Sequence, residues 1–78
     1  MSHNSVDRLV YMANQIGKFF ESQGHEKAVP GISDHIRKFW DPGMRKSIFA
    51  HLEAGGAGLM PSALEALTTL KRAEQVKA

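Results

Sequence analysis

No cysteine occurs among the 78 residues of this chain. That absence removes disulfide staples, thiolate zinc sites, Cys-ligated iron–sulfur clusters and cysteine nucleophiles together. It fits a reducing compartment. Charge of one sign is also scarce. Ten Lys and Arg face eight Asp and Glu, for a formal net charge of +2. The pI near 9.2 looks basic, but so small an excess gives no strong field for nucleic acid or anionic lipid. Long hydrophobic runs are missing too. No apolar stretch approaches the roughly 18–20 residues that span a bilayer. The start, Met1-Ser2-His3-Asn4, has no positive region leading into an apolar run, so no secretory signal is visible. Together these absences predict a cytoplasmic protein.

What is present is a globular composition, 42% hydrophobic and 23% charged, unlike the charge-heavy signature of a disordered chain. The length allows one small helical domain over residues 1–78. A domain of this size buries only about 60% of its unfolded surface. Such domains usually rely on a disulfide, a metal or a partner. With the disulfide excluded, the question is which of the other two applies.

Hydrophobic periodicity predicts four helices and no strand. Val6, Leu9, Val10, Ala13, Ile16, Gly17 and Phe20 follow one helical face over residues 5–22. Asn4 can cap this helix and Gly24 can stop it. Met12 and Phe19 lie seven residues apart and off that stripe, which predicts a second apolar edge. Val29, Ile32, Ile36, Phe39 and Trp40 predict a second helix within residues 26–40. Pro30 suits only a first turn, so this helix is expected to start at about residue 26 or later. Trp40-Asp41-Pro42 is a boundary: Asp41 can cap the next helix, and Pro42 fits its first position. Met44, Ile48 and Leu52, with Phe49 beside them, predict the third helix over residues 42–54. Gly55-Gly56-Ala57-Gly58 ends it in a tight turn. Pro61 opens the fourth helix after a poor cap, Met60, and Leu64, Leu67 and Leu70 mark its stripe to roughly residue 74. The pattern decays after Leu70, so the ordered core is expected at about 5–70 with a solvated, fraying end over 71–78.

Chemistry-bearing constellations are sparse. His3, His25, His35 and His51 form no HxxxH pair, and His25-Glu26 lacks the second His of a zinc-protease helix. They read more simply as solvated or singly hydrogen-bonded histidines. The glycine turn follows a helix rather than a strand, and no Gly-Lys-Ser/Thr comes after it, so it is not a phosphate loop. No serine is placed with a histidine and a third orienting group. A four-helix chain of this length has little volume for a water-excluded catalytic pocket. Arg37, Lys38, Arg45 and Lys46 flank Trp40. They offer either a docking site for an acidic surface or nucleic-acid backbone, or simply a solvated helix face. A helix-turn-helix comparison is possible across residues 26–54, but the recognition helix would carry mostly apolar residues. Trp40 suits either the core or an interface. Phe19, Phe20, Phe39, Trp40 and Phe49 are not expected all to be fully buried in so small a domain without residual exposed patches, and an exposed apolar patch in a stable protein usually means a partner.

Three segments then resemble a known family. They are Met12-Ala13-Asn14-Gln15-Ile16 with Phe19-Phe20; Asp34-His35-Ile36-Arg37-Lys38-Phe39-Trp40-Asp41-Pro42-Gly43-Met44-Arg45; and His51-Leu52-Glu53-Ala54-Gly55-Gly56-Ala57-Gly58-Leu59. In collinear order over about residues 6–67, they resemble the delta subunit of soluble NAD-dependent formate dehydrogenases. Phe39-Trp40-Asp41-Pro42 followed by Met44-Arg45 is the most specific part. The resemblance implies a noncatalytic subunit supporting assembly or stability of a cytoplasmic complex. In that complex, larger subunits hold a molybdenum or tungsten pterin, iron–sulfur clusters and FMN. No cofactor is expected in this chain. The partner-binding candidates are Met12, Phe19, Arg37, Phe39, Trp40, Asp41 and Arg45. Two alternatives stand beside this reading: a free-standing helical adaptor or regulator using Arg37, Lys38, Arg45 and Lys46 on nucleic acid, and a homodimer that buries its own aromatic stripe.

Overall fold

The computed structural model describes residues 6–76. It contains four helices: α1 Val6–Glu21, α2 His25–Phe39, α3 Pro42–Glu53 and α4 Pro61–Val76. The all-α class expected from periodicity holds, and no described residue forms a strand. Asn4, expected to cap α1, lies outside the described residues.

Each helix buries a narrow stripe. On α1 the centre of the stripe is Leu9, Ala13 and Gly17, flanked by half-buried Val6, Val10, Ile16 and Phe20. On α2 it is Ala28, Ile32 and Ile36. Ile48 is the buried residue of α3, with Met44, Phe49 and Leu52 packed around it. The α4 face differs from the leucine stripe expected: Ala63, Ala66, Leu67 and Leu70 are buried, while Leu64 is half-buried. Small residues at the centre of these faces let helix axes approach closely, since crossing distance follows side-chain size. α2 packs mainly on α4 and α1, and α3 packs on α1 and α4. Because α3 makes its main contacts with those two helices rather than with α2, the arrangement differs from a helix-turn-helix unit.

Gly31 illustrates the tightness of the α1–α2 seam. A Cβ added there would stand 2.5 Å from the Phe20 ring, so the ring occupies the space a side chain would need. Trp40, immediately after α2, is 5% exposed and belongs to the core.

Helix boundaries follow local chemistry with two corrections. Asp41 caps α3 as expected: its Oδ1 accepts from the Met44 N–H at 2.8 Å, with Pro42 in the first turn. Asp41→Ala is expected to lower unfolding stability by about 1 kcal/mol, and Asp41→Asn by only a few tenths, measured as urea midpoints. Pro30 does not sit in the first turn. α2 begins at His25, which puts Pro30 in the second turn, inside the helix. The Gly24 carbonyl accepts from the Lys27 N–H at 2.9 Å, closing a tighter first turn. The tertiary contacts of Ala28 and Ile32 carry the helix across the hydrogen bond that proline cannot donate.

The second concerns the end of α4, which continues to Val76, two residues past the expected end at roughly 74. Lys71 Nζ reaches Glu53 Oε2 at 2.9 Å and Arg45 Nη1 donates to Glu74 Oε2 at 2.5 Å, so two ion pairs clasp its last turns to α3. Arg72, Ala73 and Gln75 face solvent, which is why the apolar pattern stops there. Residues 77–78 lie outside the described residues.

Candidate functional site

Two features of the surface stand out, a tied loop and an aromatic row. The loop is the glycine turn after α3. The N–H of Gly56 donates to the His51 carbonyl at 2.9 Å and that of Gly55 to the Leu52 carbonyl at 3.0 Å, the paired bonds of a Schellman termination. The His51 Nε2–H donates to the Ala57 carbonyl at 2.8 Å; because a carbonyl only accepts, this nitrogen carries the proton. From the other side Asn14, on α1, grips the same loop twice. Its Nδ2 donates to the Gly58 carbonyl at 2.9 Å, and its Oδ1 accepts from the Met60 N–H at 2.9 Å. Met60 is the residue whose carbonyl accepts from Leu64 N–H and starts α4. Asn14 therefore satisfies, across 46 residues of sequence, the amide at the start of α4 that the third helical residue of a capping box would take and that Ala63 cannot.

Asn14 lies in the first of the three family-like segments, but nothing near it in sequence marks this role. An exposed-looking Asn between apolar positions carries no periodic signal of a partner so distant. Asn14→Ala is expected to cost about 1–3 kcal/mol, two hydrogen bonds of roughly 0.5–1.5 kcal/mol each. Native-state hydrogen exchange is the specific check, because the Met60 amide should lose protection selectively.

The aromatic row crosses from α1 to α2. Phe19 and Phe20 meet edge to face with centroids 5.0 Å apart. Phe20 lies 6.3 Å from His35, and His35 lies 4.7 Å from Phe39. Phe19 is 59% and Phe39 70% exposed. The expectation that the five aromatics could not all be buried is met by these two. Phe39 shares the helical spacing of Ile32 and Ile36 on α2. It stands at the open edge of that helix, while Trp40, after the helix ends, turns inward. Beside the row a groove of about 280 Å³ is lined by Gln15, Ile16, Phe19, Phe20 and His35. None of its lining side chains is an acid, a lysine or an arginine.

The other sequence candidates are distributed differently. Met12 is half-buried against the core and lines a separate cleft with Arg8, Asp41 and Met44, between α1 and α3. Arg37 is on the side of α2 that faces Thr69 of α4, and its Nη2 donates to Asp34 Oδ1 at 2.5 Å. Lys38 Nζ is 3.1 Å from Asp34 Oδ2. Hydrogen bonds from Lys38 and then Arg37 hold the Asp34 carboxyl below its usual range. The pairing is therefore complete above the ordinary carboxylate pKa and is lost as pH falls through the lowered one. Arg45 is engaged by Glu74. Of the four basic residues around Trp40, Lys46 alone makes no ion pair among the described residues. Two carboxylates thus halve the net charge of the cluster, weakening it as a phosphate-binding surface.

Among the described residues no group of three His, Cys, Asp or Glu could hold a metal. No described helix is long and apolar enough to cross a membrane.

Comparison with curated proteins and with solved structures gives no match. Comparison with protein families does: residues 8–67 match the model of the NADH-dependent formate dehydrogenase delta subunit, FdsD. The match covers the whole of α2 and α3, the tied loop, nearly all of α1 and the first turns of α4. It includes both the Asn14 clamp and the aromatic row. On that extent of match the chain belongs to the FdsD family of formate dehydrogenase delta subunits.

Proposed function

We propose that this chain is a noncatalytic accessory subunit that supports the assembly or stability of a cytoplasmic NAD-dependent formate dehydrogenase through protein–protein contacts. The family match over residues 8–67 carries this reading. The composition agrees with it: a chain without cysteine cannot ligate an iron–sulfur cluster through thiolates. The molybdenum or tungsten pterin, the iron–sulfur clusters and the FMN belong to larger partner subunits. Exposed Phe19 and Phe39 supply the contact surface; Met12 and Arg37 lie apart from it, in the α1–α3 cleft and on the α4 side of α2. Asp41, Trp40 and Arg45 serve it from within the fold, by capping α3, filling the core and clasping α4.

The experiment is affinity purification of the tagged chain from its native cell grown with formate. The larger dehydrogenase subunits are expected to co-purify. Recovery of the chain without any of them would count heavily against the proposal. Deleting the gene should also lower the amount of assembled, NAD-reducing enzyme in extracts, with recovery on complementation.

A further inference from the structure

The aromatic row has a specific consequence if the chain works as a subunit. We infer that the α1–α2 face formed by Phe19, Phe20, His35 and Phe39 docks an uncharged, apolar segment of a larger formate dehydrogenase subunit, which places one bulky aliphatic or aromatic side chain in the groove beside Ile16. This rests on the accessory-subunit reading above.

Three observations select that occupant. First, the groove is lined by Gln15, Ile16, Phe19, Phe20 and His35, with no acid, lysine or arginine among them. The ion pairs of the described residues lie elsewhere, between α3 and α4 or at Asp34 and Glu21. A phosphate backbone or an acidic peptide would find no lysine or arginine in the groove lining, whereas an apolar segment leaves no charge buried and unpaired there. Second, the space is about 280 Å³, at or below the lower end of the roughly 300–1,000 Å³ of small-molecule sites. It suits one anchoring side chain rather than a ligand. Third, the patch has the size of an anchoring centre, not of a whole interface. Phe19 and Phe39, at 59% and 70% exposure, present together on the order of 250 Å² of ring surface, against about 800 Å² per partner in a standard protein–protein interface. The partner must therefore reach past the patch onto the surface around it, as a larger subunit can. The rings also stand on two helices locked at the Phe20–Gly31 contact, so little order has to be created on binding.

The test compares tagged full-length chains expressed in native cells that lack the chromosomal copy. The variants are wild type, the double variant Phe19→Asp/Phe39→Asp, the milder Phe19→Ser/Phe39→Ser and, on α3, Lys46→Glu. Co-recovery of the larger dehydrogenase subunits is measured per tagged chain. Circular dichroism melts monitor folding, and sedimentation at micromolar concentration gives the oligomeric state. The expected result is a monomeric wild type and at least a tenfold loss of co-recovery for both double variants. Their melting temperatures should stay within a few degrees of wild type, and Lys46→Glu should be unaffected. Undiminished co-recovery by a folded double variant overturns the docking surface and leaves the accessory role standing. Loss for Lys46→Glu as large as for the double variants overturns it as well, by moving the contact to α3. A wild-type dimer that the double variants convert to monomer assigns the face to a second copy and overturns it. A wild type that recovers no dehydrogenase subunit removes the accessory role and this surface together.

Discussion

Ile36→Ala is expected to lower unfolding stability by about 2–5 kcal/mol, the range for truncating a fully buried aliphatic side chain. Ile36 has no exposed surface and lies on α2, the helix that packs on both α1 and α4. Its loss leaves a cavity in a core that also holds Ala13, Ala63 and Ala66, which have no rotamers with which to fill space. A chain of this length is expected to have only about 4–12 kcal/mol of stability in all. The variant should therefore unfold at a urea midpoint lower by roughly 1–3 M, with the slope unchanged. If it is already unfolded without denaturant, Ile36→Val should show the graded version, about 0.5–1.5 kcal/mol. Phe39→Ala is the matched control. At 70% exposure its loss should move stability by no more than about 0.5 kcal/mol. Equal effects at positions 36 and 39 would contradict the described core.

The second large effect is expected at the glycine turn. Gly56 has φ of +67° and is buried. A Cβ added there would stand 2.7 Å from Leu64 Cδ1. Two costs therefore combine at Gly56→Val. The left-handed backbone costs a non-glycine residue about 1–2 kcal/mol, and a β-branched one still more. Crowding against Leu64 adds about 1–3 kcal/mol of overpacking. The expected loss is about 2–5 kcal/mol by urea unfolding. Gly56→Ala should fall clearly below Gly56→Val, because a Leu methyl can swing away from a single added carbon more easily than from a branched group. Pairing Gly56→Val with Leu64→Ala separates the two costs. The overpacking part should be relieved in the double variant and the backbone part should remain. Full additivity of the two substitutions would show that Leu64 does not press on Gly56.

The difference between these two sites marks what was legible in the amino-acid sequence. Ile32, Ile36 and Ile48 stood out through helical spacing alone, and all three are fully buried. Asp41 before Pro42 announced a helix start that its hydrogen bond to Met44 then made. Local rules suffice there because an N-cap and an apolar stripe are set within one or two turns of the same helix. Phe39 shows the limit. It shares the spacing of Ile32 and Ile36, yet spacing tells which residues share a face and not how far along the helix a neighbour covers it. The alanines of α4 carry too little hydrophobicity to mark a stripe, although Ala63 and Ala66 set how closely that helix approaches the others.

Four helices, their order, most of their boundaries, the absence of thiolate chemistry and the family resemblance in residues 34–45 could all be taken from the one-dimensional chain. Each depends on composition or on neighbours a few positions apart. The tertiary structure alone decided the rest. It brought Asn14 across 46 residues to Met60 and clasped Glu74 to Arg45 across 29. It carried α2 through Pro30, sent Trp40 into the core and left Phe19 and Phe39 outside it. Those outcomes depend on which helix lies over which. A side chain is buried only where another element removes its water, and the placement of that element is encoded in the packing of the whole chain rather than in any local run.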